Sequence, residues 1–228
     1  MKRKNKAAEE EKNRQKHRSN RTNNLERALP NRTEKPKFLI VCEGVNTEVD
    51  YFDHFKCSFL DIKTVGTGRN TLSLVEFTEA LVQKEQQKGK EYDQIWCVFD
   101  KDDFPTDTFN EAVFRAQRSF GEGHAAYSNQ AFEYWFLLHF EDHQGGAIHR
   151  NQYNNRLNRY LSPASIVYDG TSSKRVSIDF FDFMQPLQAI AITRAKRIYE
   201  NLEHRSPALE ESSTTVFRLV EEINKYRI

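Results

Sequence analysis

The sequence predicts an α/β protein in which a parallel β-sheet carries helices on both faces and a helical extension follows. Three observations predict it. Short continuous apolar runs at residues 38–42 and 94–99 have the pattern of strands buried on both faces. Such runs alternate with segments of helical periodicity. Beyond Gln144 the strand signal fades and helical patterns dominate.

The first strand, residues 38–42, ends on Glu43-Gly44. A helix follows over residues 47–56, with Val49, Phe52 and Phe55 at helical spacing. Residues 60–65 alternate partially and read as a second strand, closing a βαβ unit at Gly66-Thr67-Gly68. Thr71 or Ser73 is placed to cap the next helix, Ser73 forming a capping box with Glu76, and that helix runs to about Lys88. Residues 94–99, the most apolar strand, lead into the polar loop from Asp100 to Pro105. Thr108 with Glu111 then caps a helix that reaches Phe120. Residues 124–128 are a fourth strand and residues 131–139 a very apolar helix. Three more helices are expected at about residues 152–160, 186–203 and 214–226, whereas residues 162–179 carry no readable pattern. The domain organisation expected is a basic flexible arm over residues 1–36, an α/β domain over 37–143, and a helical extension packed on the sheet over 144–228.

A net charge of +1 conceals an uneven distribution: residues 1–37 hold 13 Lys and Arg against 5 Glu, the remainder 21 against 28 acidic residues. A basic arm precedes an acidic body. Such an arm can neutralise phosphates, or serve only as a solvated terminus. The 228 residues suffice for one generous domain with a substantial core. Cys42, Cys57 and Cys97 are odd in number and show no metal-ligand spacing, so neither a disulfide framework nor a zinc knuckle is indicated. No run approaches the roughly 20 apolar residues of a membrane span, and the N-terminus has charges where a secretory signal needs an apolar stretch. A cytoplasmic protein without membrane attachment is expected.

In open α/β sheets ligands collect outside the carboxyl ends of the strands. The first strand ends on Glu43, and the third runs into Asp100 with Asp102 two residues on. Three carboxylates gathered in one crevice repel one another, and a hard divalent cation relieves that repulsion, so Mg²⁺ or Mn²⁺ is the expected cofactor. Glu48 opens the first helix, where it either adds a ligand or interacts with the helix dipole. Glu133, early in the apolar helix, is a further ligand candidate, or else a buried Glu bonded to nearby backbone or to His139.

The motifs Leu39-Ile40-Val41-Cys42-Glu43-Gly44 with Thr47-Glu48, and Val98-Phe99-Asp100-Lys101-Asp102, resemble the Toprim signature of a Glu followed by DxD. More narrowly, Tyr51-Phe52, Trp96 to Phe104, Ser128-Asn129, Phe132-Glu133, Trp135 and Leu138 to Glu141 extend the likeness to the RloB-like family over roughly residues 38–141, and weakly to Ser213-Thr214-Thr215-Val216. Gln130 and Ala131 depart from the Pro and Cys that relatives often show there. The resemblance implies a Toprim-like fold and a metal-dependent nuclease of phage-defence loci, encoded beside an ABC-type ATPase. Carried over residue by residue, it assigns Glu43, Asp100 and Asp102 to the metal and Glu48 to the further acidic ligand of OLD-type nucleases.

Other features are weaker. Gly66-Thr67-Gly68-Arg69-Asn70 could cradle a phosphate, although a tight strand-to-helix turn uses glycine anyway. His139 and His143 lack the HExxH pattern of a zinc helix. Arg69, Lys101, Lys174 and Arg175 are candidate nucleic-acid contacts, Lys174 and Arg175 also reading as a solvated surface pair. The function expected is metal-assisted phosphodiester hydrolysis by Glu43, Asp100, Asp102, Glu48 and Glu133, on DNA or RNA, as a monomer or homo-oligomer. A nucleic-acid-binding or sensing subunit without catalysis is the alternative. A haloacid-dehalogenase phosphatase fits poorly, because its nucleophilic DxD follows the first strand, where this chain has Glu43-Gly44.

Overall fold

The computed structural model describes residues 35–227 apart from 56, 144, 145, 147, 204 and 205. The basic arm expected over residues 1–36 falls, up to residue 34, outside the described residues. Four strands form one parallel sheet: β1 (Lys37–Cys42), β2 (Asp61–Gly66), β3 (Gln94–Asp100) and β4 (Ala125–Ser128). Their spatial order is β2-β1-β3-β4. The central strands β1 and β3 are the two continuous apolar runs, buried on both faces as such runs require. Edge strand β2 is half-exposed, which accounts for its partial alternation.

Eight α-helices cover the sheet among the described residues. The first four are α1 (Thr47–Asp53), α2 (Thr71–Gln86), α3 (Thr106–Phe120) and α4 (Glu133–Phe140). The last four are α5 (Arg150–Leu161), α6 (Ile178–Met184), α7 (Gln188–Glu200) and α8 (Val216–Asn224). On one face α2 and α3 bury Leu74, Val75, Phe109 and Val113 against Leu39, Val41, Cys97 and Phe99. On the other face Ile40 and Val98 join a larger core that includes α1, α4 and the helices beyond it. Helix α4 lies inside that core with Tyr134 to Leu138 fully buried, which is why its sequence is apolar all round. Trp135 Nε1 donates to the hydroxyl of Tyr51 at 2.8 Å, satisfying two polar groups among aromatic rings.

Several boundaries differ from the sequence expectation. Asn70 caps α2, its side chain accepting from the Ser73 amide at 3.3 Å, so neither Thr71 nor Ser73 is the cap. Helix α3 begins at Thr106, directly after Pro105, and has no side-chain cap; Thr108 is already inside it. Helix α5 starts at Arg150, two residues before the expected position. Helix α6 was not expected: it starts in the last two residues of the unreadable stretch and runs on to Met184, although its cap Ser177 and the spacing of Phe180, Phe181 and Met184 carry the signal. The edge of β4 is covered by residues 213–215, where Asn129 N donates to Ser213 O and Thr215 N to Tyr127 O, each at 2.8 Å. No helix among the described residues is long and apolar enough to cross a membrane.

Candidate functional site

From β1 the chain passes through α1 to β2 on one side, then through α2 to β3 on the other. The switch point of the sheet therefore lies between the carboxyl ends of β1 and β3, where ligands bind in open α/β sheets. A crevice of about 260 Å³ opens there. Five acidic side chains line it, Glu43, Glu48, Asp100, Asp102 and Glu133, together with two cations, Arg150 and Lys174. The structure thus brings together all five expected acidic residues, although they come from four separate segments.

Each position has a local cause. Glu43 N donates to Val98 O at 2.8 Å, extending the β1–β3 ladder by one residue and holding the Glu43 side chain at the strand end. Gly44 N donates to Glu48 Oε1 at 3.3 Å, and a methyl group at residue 44 would collide with the Glu48 carboxylate. Glycine at that position is what lets Glu48, in the first turn of α1, fold back over the strand end. Asp100 terminates β3. Asp102 turns back with φ of 40°, in the left-handed region that Asp tolerates better than most residues, and its amide donates to Gln130 O at 2.9 Å. Glu133 lies in the first turn of α4 and accepts a hydrogen bond from Tyr168 Oη at 2.7 Å, so neither backbone nor His139 is the partner seen.

The segment that sequence patterning could not read, residues 162–179, contributes Lys174 to the crevice. The carboxylate of Asp169 accepts bonds from the amides of Thr171, Ser172 and Ser173 and organises a turn. Thr47 Oγ1 donates to Lys174 O at 3.0 Å, Asn46 Nδ2 to Ser173 O at 3.1 Å, and Val176 N to Asp50 Oδ2 at 3.0 Å. These bonds fasten the turn to α1 and present Lys174, itself at a positive φ of 49°, to the crevice.

The remaining candidates lie elsewhere. Arg175 pairs with Asp50 at 2.9 Å instead of lining the crevice. Lys101 Nζ donates to Phe104 O at 2.6 Å and tightens its own loop. The Arg69 guanidinium lies over the Phe77 ring, 4.8 Å from its centroid. In the Gly66-Thr67-Gly68 turn, Thr67 N and Gly68 N donate to the carbonyls of Cys42 and Glu43, so these amides hold the turn to β1 and are not presented to a phosphate. Asp103 is exposed. His139 is buried with Nδ1 against Trp135 O, and His143 faces Gly146 O, so the pair builds no zinc site.

Sequence reasoning missed Arg150. Its guanidinium reaches Asp102 Oδ2 at 2.5 Å and Asp100 Oδ2 at 3.9 Å. A cation in the first turn of α5 opposes the helix dipole, and that local anomaly is the signal that could have flagged it. Nothing in the sequence pointed to Tyr168.

Electrostatics follows from this geometry. Burial pushes the Glu43 carboxyl up to about 8, with Glu48 and Asp102 adding to the rise. Glu48 is raised to about 7 by burial, and the neighbouring Glu133 contributes. Asp100 is raised well above its usual range by burial, then by Glu48, Asp102, Glu133 and Glu43. Asp102 is raised by burial but partly relieved by Arg150. Glu43 Oε2 and Asp100 Oδ1 are buried and have no hydrogen-bond partner. Buried acceptors are almost always satisfied, so these two require an explanation. An all-oxygen donor set that is mutually repulsive and partly unpartnered fits a hard divalent cation. The set is not drawn tight: among the described residues no three His, Cys, Asp or Glu side chains form a group ready to hold a metal ion, and Asp102 is turned onto Arg150.

Fold and crevice together define an α/β protein with an acidic site at the switch point of a Rossmann-like parallel sheet. The chain belongs to the RloB-like protein family, whose family model matches residues 38–223. That match runs from β1 into α8 and so takes in the C-terminal helices as well as the sheet. No curated protein and no solved structure matches the chain.

Proposed function

We propose that the chain is a Mg²⁺- or Mn²⁺-dependent nuclease with a Toprim-type site, hydrolysing phosphodiester bonds in nucleic acid as part of an antiphage system with an ABC-type ATPase. The observation that carries the catalytic part is the pair of buried, unpartnered oxygens on Glu43 and Asp100 at the switch point. The defence role and the ATPase rest on the family resemblance alone.

In this reading Glu43, Asp100 and Asp102 hold the cation, with Glu48 or Glu133 completing the set. A divalent cation there would neutralise the carboxylates, polarise a phosphate oxygen and lower the pKa of water. Tyr168 orients Glu133, and the Gly44 amide orients Glu48. Lys174 and Arg150 supply the positive charge against which a phosphodiester can be oriented. Phe132 forms an apolar side of the crevice.

The test is nuclease assay beside thermal melting for Glu43→Gln, Asp100→Asn and Asp102→Asn, on labelled DNA and RNA with Mg²⁺ or Mn²⁺. Each variant is expected to lose activity by about a hundredfold or more while staying folded. Without divalent ions the midpoint should hold or rise for Glu43→Gln and Asp100→Asn, because repulsion is relieved. Asp102→Asn gives up the Arg150 pair and should lose up to about 1 kcal/mol. Undiminished cleavage by Asp100→Asn, or a wild-type midpoint indifferent to millimolar Mg²⁺ and Mn²⁺, defeats the reading. Tight binding of nucleic acid without turnover under any metal would instead favour a sensing subunit.

A further inference from the structure

The acidic crevice continues into a second chamber of about 220 Å³ that shares Glu133, Arg150 and Lys174 with it and is otherwise lined by Asn151, Asn154, Gly170 and Thr171. Its character differs. Apart from Glu133, whose carboxylate already accepts from Tyr168, its side chains are cationic or neutral hydrogen-bonding groups. The first turn of the 12-residue helix α5 borders it with Arg150 and Asn151. The Asn151 amide at the helix start is already taken by His149 Nδ1 at 3.3 Å, so it is the cationic side chains of Arg150 and Lys174 that suit the chamber to an anion.

Arg150 lines both chambers and, among the described residues, is the cation that contacts the Asp100 and Asp102 carboxylates from the start of helix α5. Its two contacts are unequal, 2.5 Å to Asp102 and 3.9 Å to Asp100, and its side chain is 35% exposed. An arginine held this way competes for the charge of carboxylates that a divalent cation would need, holding Oδ2 of Asp100 and Asp102 while Asp100 Oδ1 is left unpartnered. Released from them, its forked donors match a phosphate. We infer that Arg150 is a positioning switch: it neutralises Asp100 and Asp102 in the cation-free protein and, once a divalent cation takes them, binds with Lys174 a backbone phosphate of the nucleic acid in the second chamber. The inference rests on the metal-site reading above and adds to it a phosphate subsite and an ordered loading, cation before nucleic acid. With five carboxyl groups against two cations in the crevice, nucleic acid arriving first would find no excess of positive charge to hold it.

The experiment is calorimetric titration of Mn²⁺ into wild type, Arg150→Gln and Arg150→Lys, followed by titration of each with a fluorescein-labelled phosphorothioate 12-mer, as DNA and as RNA, with and without Mn²⁺. Arg150→Gln is expected to bind Mn²⁺ more tightly, on the order of tenfold, because the competitor is gone. The same variant should lose most of the gain in 12-mer affinity that Mn²⁺ produces in wild type. Arg150→Lys, which keeps the charge without the fork, should fall between the two on both measures, and it carries the test if Arg150→Gln does not fold. A purely structural arginine predicts weaker Mn²⁺ binding in the variants, which overturns the switch. Equal Mn²⁺ affinity in wild type and variants, or an intact Mn²⁺-dependent gain in 12-mer affinity, overturns it as well. Absence of Mn²⁺ binding in wild type and both variants would instead remove the metal site itself, and the switch with it.

Discussion

His139 shows how one buried group makes stability depend on pH. Its imidazole is buried in α4 beside Trp135, with Nδ1 against Trp135 O and Nε2 without a partner. Arg194, from α7, donates to its backbone carbonyl at 3.3 Å and places a positive charge nearby. Burial is the main cause that lowers the imidazole from 6.5 to about 4. The folded state therefore refuses a proton that the unfolded chain accepts, so stability is fully present above pH 6.5 and is lost as pH falls toward about 4. The loss attributable to this group is roughly 3 kcal/mol. Urea unfolding of wild type and His139→Leu across this range should give a difference that narrows or inverts toward high pH and grows in favour of Leu as acid is added. Parallel curves would show that His139 titrates normally.

At the scale of elements, the turn after β1 decides the shape of the crevice, and two glycines divide the work, Gly44 within that turn and Gly66 packed against it from the end of β2. A methyl on Gly44 meets only the end of the flexible Glu48 side chain. Gly44→Ala is expected to cost less than about 1 kcal/mol yet displace Glu48, lowering cation affinity and activity. A methyl on Gly66, at the end of β2, would lie 2.7 Å from Val45 Cα and 2.8 Å from Gly44 O, atoms of backbone that cannot rotate away. Gly66→Ala should therefore cost about 1–3 kcal/mol and force β2 away from the β1–α1 turn. Denaturant midpoints beside Mn²⁺ affinity separate the cases: a stability loss in Gly44→Ala as large as in Gly66→Ala would contradict the geometry. The acidic residues were legible at this scale because strand ends and helix starts are marked locally. Glu43 and Asp100 each follow directly on an apolar run, and Glu48 sits in the first turn of a helix signalled by Val49 and Phe52.

Across the whole molecule the charge asymmetry is the feature most open to test. The body carries an excess of acidic residues and its site carries more. A nucleic-acid partner would then need positive charge from elsewhere, and residues 1–37 hold 13 Lys and Arg. Deleting residues 2–34 should weaken binding of nucleic acid and flatten its dependence on salt while leaving the melting midpoint of the body unchanged. Binding measured from 50 to about 200 mM salt tests this; an unaltered slope in the truncated protein would exclude the arm from recognition.

What the sequence determined by itself is the α/β alternation, the two buried central strands and the acidic residues at their carboxyl ends. These follow from side-chain periodicity and from where it stops, both properties of neighbouring residues. Tertiary structure alone decided what meets those acidic residues at the site. Arg150 meets Asp102 across 48 residues, Tyr168 meets Glu133 across 35, and Thr47 reaches Lys174 across 127. Contacts of that separation leave no periodic trace in the chain, because they arise from the order in which strands pair and from the turn that Asp169 and α1 hold in place. Arg69, Lys101 and Arg175 show the reverse case. Their charge was visible in the sequence, but nearby rings, carbonyls and the Asp50 carboxylate settled where each one points.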